Sequence, residues 1–477
     1  MENISISRRR LLLQWLLAPI VGAATLRASA QASPTFPQAD LLHASQLREQ
    51  GLRGNLAYEL MESLVRQVGA RQAGSANDAR AVQWALAQLA RLGFSNVRAE
   101  PVELVTWQRG AASARLLAPH ARELVVTGLG NTVGTPDGGI EAELAWYPDL
   151  AALRADASGR ARGRIVFIDE KTERTRDASG YSRSILSRVR GAIEAGRHGA
   201  LAVAIRSLGT DHDPIAHTGS MRYDPSVPAI PAVAVSVPDA DWIAERAGRG
   251  EPLRMKLQMA PTSRLPARSS NVIAEIPGTD LAAEIVLLGA HLDSWDITPG
   301  AQDDAAGVGI VTAAAKAILD GGRRPRRTVR VVLFANEENG FDGAKAYARK
   351  YKDVVHQAVG ESDLGAGRSW RLRSRVREEA LAAVAAMAAV LQPLGIAAAG
   401  NEASPEPDAS VLMEANGWPM LELTQDGTRY FDVHHTVNDT VDRVEPKDMA
   451  HNVAAWAACA WLAAQSDIAF GPAQAGR

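Results

Sequence analysis

Between residues 284 and 340 short apolar runs alternate with one small-residue helical pattern. Residues 285–290 are an unbroken apolar run that ends abruptly in His291 and Asp293. A turn and the acidic pair Asp303-Asp304 follow, then a helical apolar pattern over 305–319. After a basic turn comes a second apolar run, 329–335, which ends in Glu337 and Glu338. Apolar runs of this length on either side of a helix predict strands buried on both faces, joined as a βαβ unit in a parallel sheet. Ligands of open α/β sheets bind beyond the carboxyl ends of the strands, which is where these polar residues fall. Charged groups at the end of a buried strand need a partner, and a metal ion satisfies several at once.

Upstream, Leu60, Leu64, Val65 and Val68 recur at helical spacing, residues 81–92 form a second amphipathic run closed by Gly93, and 95–107 reads as strand. Residues 128–265 change character. A glycine-rich entrance leads to strand-like runs at 142–148, 164–170, 200–206 and 228–236, with a helix near 187–196. Short strands with prolines at their edges predict a small β-rich module inserted in a larger domain. The entrance glycines do not follow G-x-G-x-x-G, so no dinucleotide site is expected there. His212 and His217 lie in a polar stretch without metal-ligand spacing, which predicts a solvated loop or a substrate-facing rim. From residue 270 strands resume, followed by helices at 343–350, 378–391 and 449–464. The expected fold is α/β: a mostly parallel mixed sheet sandwiched by helices, built from 31–127 and 266–477, with 128–265 inserted.

With 477 residues, 46% hydrophobic and 22% charged, the chain has the balance of a soluble multidomain protein, and a net charge of −2 gives no reason to expect nucleic acid. The single cysteine, Cys459, excludes disulfides within the chain and reads as core filling. Residues 1–30 read as a targeting segment: Arg8, Arg9 and Arg10 precede an apolar run, and Ala28-Ser29-Ala30 has the small residues of a cleavage site. That run is too short, and too broken by Gln14 and Pro19, for a stable membrane anchor. Ser7 with the arginines resembles a twin-arginine signal, with an ordinary Sec signal as the plainer alternative. Either places the mature protein in the periplasm or outside the cell.

His291, Asp303, Glu338, Asp363 and His435 each fall at a strand end or in the turn beyond one. A parallel sheet gathers such ends along one edge. Two imidazoles and three carboxylates suffice for two open metal sites if one carboxylate bridges. Two divalent ions would outweigh the three carboxylates and acidify a water between them, making hydroxide available as a nucleophile. Glu337, not needed as a ligand, is placed to act as general base, and Asp293 to accept the His291 ring N–H.

HLDSWD, GAQDDAAG, FANEENG, ESDLG and HHTVNDT, in that order, resemble the motifs of the co-catalytic zinc exopeptidases, which include bacterial leucyl aminopeptidases and glutamate carboxypeptidases. The likeness is nearest to the plasma glutamate carboxypeptidase branch. It extends to GARQAGS, the Trp107 region and GRIVFIDE, so that it covers nearly the whole mature chain. The resemblance implies two Zn²⁺ per chain and a protease-associated (PA) domain as the insert. Asp303 matches the bridging ligand, His291 and Asp363 the further ligands of one zinc, and Glu338 and His435 those of the other. Glu337 matches the base and Asp293 the aspartate behind the first histidine, while His434 matches no ligand. Tyr430 could polarise the scissile carbonyl or simply pack beside the site. PDAS, from Pro407, replaces the family's usual S-D pair, and GRSWRLRS, after Asp363, forms a basic rim suited to carboxylates. The implied substrate is a dipeptide or short peptide, with aminopeptidase, carboxypeptidase and dipeptidase action, and a homodimer, all left open. Neither G-x-S-x-G nor H-E-x-x-H occurs, which argues against a serine hydrolase and a thermolysin-like protease. A one-zinc glutaminyl cyclase and a metal-free receptor-like relative are the alternatives, separable by metal content.

Overall fold

A computed structural model describes residues 35–471; the expected export segment lies outside the described residues. The strand Leu281–His291 is the centre of an eight-stranded sheet, parallel to Arg327–Phe334 on one side and His356–Glu361 on the other. Its side chains alternate between two cores. Val286, Leu288 and Ala290 enter one, Ile285 and Leu287 the other, which is why this strand has no polar face. Met420–Thr424 extends the parallel centre. Antiparallel strands flank it, Thr262–Ile276 and Ser95–Gln108 at one edge and Arg371–Arg375 towards the other.

Helices cover both faces. On one side Leu56–Gln67, Ala306–Asp320 and Pro446–Gln465 share a core with Trp456, Trp461 and Cys459. The last of these helices is buried all round from residue 449 to 465, matching its alanine-rich pattern. On the other side Asp342–Lys350 and Pro407–Asn416 pack around Phe334, Tyr347 and Trp418. This is the mixed, helix-sandwiched α/β architecture that the sequence predicts. No helix among the described residues is long and apolar enough to cross a membrane.

A second eight-stranded sheet is inserted between Ser95–Gln108 and Thr262–Ile276. Its centre is parallel, Ile140–Tyr147, Ile165–Ile168, Ala202–Arg206 and Ala232–Val235, with Ser179–Arg197 and Val237–Gly248 packed against it. The insert therefore holds more helix than its strand-like pattern suggests. It also opens earlier than residue 128, because Ala112–Ala118 pairs with Arg254–Met259 inside this sheet. The entering and leaving chains meet where Gly110, at φ +61°, lies on Ala260, so close that a β-carbon there would stand 1.9 Å from the Ala260 oxygen. That contact, not the glycine-rich stretch, marks the junction.

Candidate active site

The five residues singled out from scattered motifs meet at the carboxyl edge of the main sheet. His291 closes its strand, Asp303 lies in the turn before the helix Ala306–Asp320, and Glu338 follows Arg327–Phe334. Asp363 comes two residues after His356–Glu361, and His435 lies in the loop beyond Met420–Thr424. The two oxygens of Asp303 go separate ways. Oδ1 is 3.0 Å from His291 Nε2 and Oδ2 is 3.2 Å from His435 Nε2. Asp363 Oδ1 stands 3.2 Å from the same His291 nitrogen, and Glu338 Oε2 3.1 Å from that of His435. Asp303 thus joins two triads, His291–Asp303–Asp363 and His435–Asp303–Glu338.

Asp304 and His434 also lie within reach of these groups. Asp304 is already engaged, accepting the His291 and Gly307 backbone N–H groups at 3.1 and 3.0 Å. His434 is 3.7 Å from Asp303 and stacks on His435 with ring centroids 3.5 Å apart. The Asp303 turn has non-helical backbone and is fixed from outside by Asp439, which accepts the Gln302 and Asp303 N–H groups at 2.7 and 3.1 Å. Arg71, fully buried, donates to Leu292, Pro299 and Gly300 carbonyls and so pins the loop between His291 and Asp303. Arg71, Asp304 and the bonds from Asp439 were not singled out from sequence. Arg71 and Asp439 find their partners far along the chain, whereas Asp304 serves its own turn and the end of the preceding strand; only the GARQAGS motif marks Arg71 in the sequence. Asp293 accepts the Glu337 backbone N–H at 3.1 Å. The acceptor nearest His291 Nδ1 is the Asp293 main-chain oxygen at 3.1 Å, the carboxylate being 3.7 Å away. The expected support of the ring therefore runs first through the backbone.

The electrostatics are those of a site short of positive charge. Burial works against the imidazolium of His291, yet the charge of Asp363 and bonds to Asp293 and Asp303 hold it well above the ordinary range. His435 is raised to about 9, where burial is outweighed by the charges of Glu338 and Asp303. Burial, then the Asp303 charge, lifts Glu338 to about 7, and burial with the charges of Asp363 and Glu338 also lifts Glu337 well above the ordinary carboxylate range. Asp303 goes the other way despite burial, held low by its bond to His291 and by the facing His435 ring. Asp303 Oδ2 and Glu338 Oε1 are buried without a hydrogen-bond partner. Orphaned buried carboxylate oxygens converging with imidazole nitrogens form a donor set that suits divalent cations of the zinc type.

The triads open into a cavity of about 660 Å³ between the main domain and the insert. Glu337, Tyr430 and His434 line it, together with Tyr181 and Arg188 from the insert. Tyr430 is buried and its phenol is raised well above its usual range by burial and the charge of Asp303, so it remains a hydrogen-bond donor. Arg371 and Arg373 of the basic rim and Pro407 and Ser410 of PDAS also face the cavity. Of the two loop histidines, His212 is exposed and pairs with Asp241. His217 is not solvated: it is buried between Asp211 and the main-chain oxygen of His434, at 2.8 and 2.7 Å.

A helix-sandwiched α/β sheet carrying this cluster at its carboxyl edge defines the chain as a metallopeptidase of the exopeptidase kind. The chain belongs to peptidase family M28, whose model matches residues 271–460. It is 35% identical over 419 residues to carboxypeptidase Q of Homo sapiens, a match covering 87% of each chain. A crystal structure of a peptidase M28 precursor from Shewanella amazonensis SB2B is similar with a TM-score of 0.89 and 46% identity, over 92% of this chain and 99% of that one. An aminopeptidase from Aneurinibacillus sp. strain AM-1 shares the fold, with a TM-score of 0.63 and 18% identity over 89% of this chain and 97% of that one.

Proposed function

We propose that the protein is an exported di-zinc exopeptidase acting on dipeptides or short peptides. The observation that carries this reading is the division of Asp303, whose two oxygens face two separate His–carboxylate pairs. His291, Asp303 and Asp363 would hold one ion, and Asp303, Glu338 and His435 the other. When bound, the ions supply Lewis-acid polarisation of the scissile carbonyl and acidify water. Glu337 lines the cavity beside Glu338, with its backbone tied to Asp293. Its carboxylate takes the proton of the attacking water and returns it to the leaving amine. Tyr430 donates its O–H to the carbonyl oxygen as charge develops there. Asp439 and Arg71 hold the Asp303 turn in place for both triads. The insert closes one wall of the cavity, as a PA domain would.

The test uses protein recovered from the periplasm. It should begin near Gln31, carry two equivalents of zinc, and hydrolyse a dipeptide with both ends free. Dialysis against chelator should abolish turnover, and two equivalents of zinc should restore it. One equivalent of zinc without hydrolysis of the dipeptide would point to cyclase-like chemistry, and full activity in metal-free protein would remove the mechanism.

A further inference from the structure

Five arginines among the described residues are more than nine-tenths buried: Arg71, Arg188, Arg206, Arg327 and Arg330. Four have strong partners. Arg206 pairs with Asp169, Arg327 with Glu284 and Arg330 with Glu275, and Arg71 is bound by three carbonyls. Arg188, on the insert helix Ser179–Arg197, is different. It is 5% exposed, and among the described residues no carboxylate lies within ion-pair reach of it. Its Nε has no hydrogen-bond partner, and Nη1 makes one long bond of 3.5 Å to the Thr218 carbonyl. Burying an unpaired guanidinium is costly, so the position calls for an anion that the protein itself does not provide.

The surroundings say where that anion sits. Arg188 lines the cavity that holds Glu337 and Glu338. The Thr218 oxygen it touches is also 3.2 Å from Nδ1 of His435, so a single carbonyl separates the guanidinium from the ring of a proposed metal ligand. Space has been kept for it. Gly219, at φ +136°, packs against the guanidinium, and a β-carbon there would lie 2.2 Å from Nη1. The Tyr181 ring, 5.6 Å from the guanidinium carbon, covers another side.

We infer that Arg188 is a specificity-determining residue that binds the terminal carboxylate of the substrate, so that the enzyme selects dipeptides with a free C-terminus. The inference rests on the peptidase reading above. In a dipeptide the terminal carboxylate belongs to the residue just after the scissile bond, and consecutive α-carbons are only ~3.8 Å apart. A group that reads it must therefore stand next to the reacting centre, as Arg188 does. The planar guanidinium can meet a carboxylate with two parallel N–H bonds, and the unpartnered Nε is one of the donors such a fork uses.

The experiment compares Leu-Ala, Leu-Ala-NH₂ and Leu-Asp-NH₂ as substrates for zinc-loaded wild type, Arg188→Met and Arg188→Lys. Binding of a non-hydrolysable Leu-Ala isostere, as free acid and as carboxamide, is measured in parallel by calorimetry. Wild type should favour the acid over the amide by ~10–100-fold in kcat/KM and in affinity, the range of a buried charge-assisted hydrogen bond. The ratio should fall to near one in Arg188→Met and be intermediate in Arg188→Lys, which keeps the charge but loses the fork. Equal treatment of acid and amide by wild type overturns the inference, whatever the variants do. So does a ratio unchanged in Arg188→Met. Leu-Asp-NH₂ cleaved as well as Leu-Ala, with that advantage lost in Arg188→Met, would assign Arg188 to an acidic side chain and overturn the terminus. If wild type cleaves none of the three yet still discriminates the isosteres through Arg188, the peptidase reading fails and the carboxylate site stands.

Discussion

At the scale of single residues, Glu337 and Glu338 are neighbours with opposite duties. Glu338 stands 3.1 Å from His435 with its other oxygen unpartnered, whereas Glu337 faces the cavity and touches neither histidine closely enough for an ion pair. Glu337→Gln should therefore keep both metals, because an isosteric amide removes no ligand. It should lower kcat by ~10²–10⁴-fold with little change in KM, as loss of a general base does. Glu338→Gln should lose metal first and activity as a consequence. Metal analysis beside steady-state kinetics on one dipeptide separates the two, and metal loss in Glu337→Gln alone would exchange their roles. These chemistry-bearing residues were legible in the sequence because each ends an apolar strand or follows it in an acidic or histidine-rich turn. Asp439, Asp304 and Arg188 were not legible as a site. Asp439 acts on Gln302 and Asp303 from far along the chain, and Arg188 sits in a helix whose pattern reads as an ordinary amphipathic face.

At the scale of elements, the central strand Leu281–His291 could be read because burial on both faces leaves an unbroken apolar run over 285–290, and its neighbour Arg327–Phe334 because only Arg330 interrupts the apolar run from 329. The start of the insert could not, since Ala112–Ala118 has the alternating pattern of any edge strand and only its partner, Arg254–Met259, assigns it. The strand His356–Glu361 carries a feature equally hidden in sequence. His356 stacks on Trp418 with centroids 3.6 Å apart, and its Nε2 is 2.9 Å from the Tyr347 hydroxyl. Arg330 donates to that hydroxyl at 2.8 Å, and His356 Nδ1 lies 2.9 Å from the Val354 carbonyl. The network fixes a neutral ring: Nδ1–H donates to Val354, and Nε2 accepts from Tyr347. Burial depresses its pKa from 6.5 to about 3. Between those values the unfolded chain binds a proton that the fold refuses, so this contribution to stability is fully present above pH 6.5 and is lost as pH falls towards 3. Each pH unit in that window removes up to ~1.4 kcal/mol. Denaturant unfolding of wild type and His356→Gln across pH 4–7 should show the variant less stable at pH 7 but with a shallower acid slope. Parallel slopes would show that His356 does not titrate in this way.

At the scale of the whole molecule, the insert does more than wall the cavity: it grips the loop that carries His435. Arg174 and Thr210 both bond the Asp432 carboxylate, with contacts from 2.6 to 2.9 Å. Thr210 also donates its N–H to the Phe431 carbonyl at 3.0 Å. Further along the same loop, His217 holds the main-chain oxygen of His434, and the Thr218 N–H donates to that of His435 at 3.2 Å. The position of one proposed metal ligand is thus set partly by a domain that contributes none. Asp432→Ala removes the carboxylate end of this grip without touching the triads. The Arg174–Asp432 pair is substantially solvent-exposed, so global stability should fall by only ~1 kcal/mol or less. Catalysis should suffer more, because small displacements of reacting groups are costly, and kcat/KM should drop by ~10-fold or more. Zinc affinity should weaken in step, since His435 is the ligand on the loosened loop. Asp442→Ala, at an exposed carboxylate ten residues on that pairs only with Thr440 and Arg443 among the described residues, serves as the control and should leave activity as it is. Thermal unfolding, zinc titration and kinetics on the same preparations decide the matter. If Asp432→Ala matched the control in all three, the insert would be a passive lid, and the loop would hold His435 unaided.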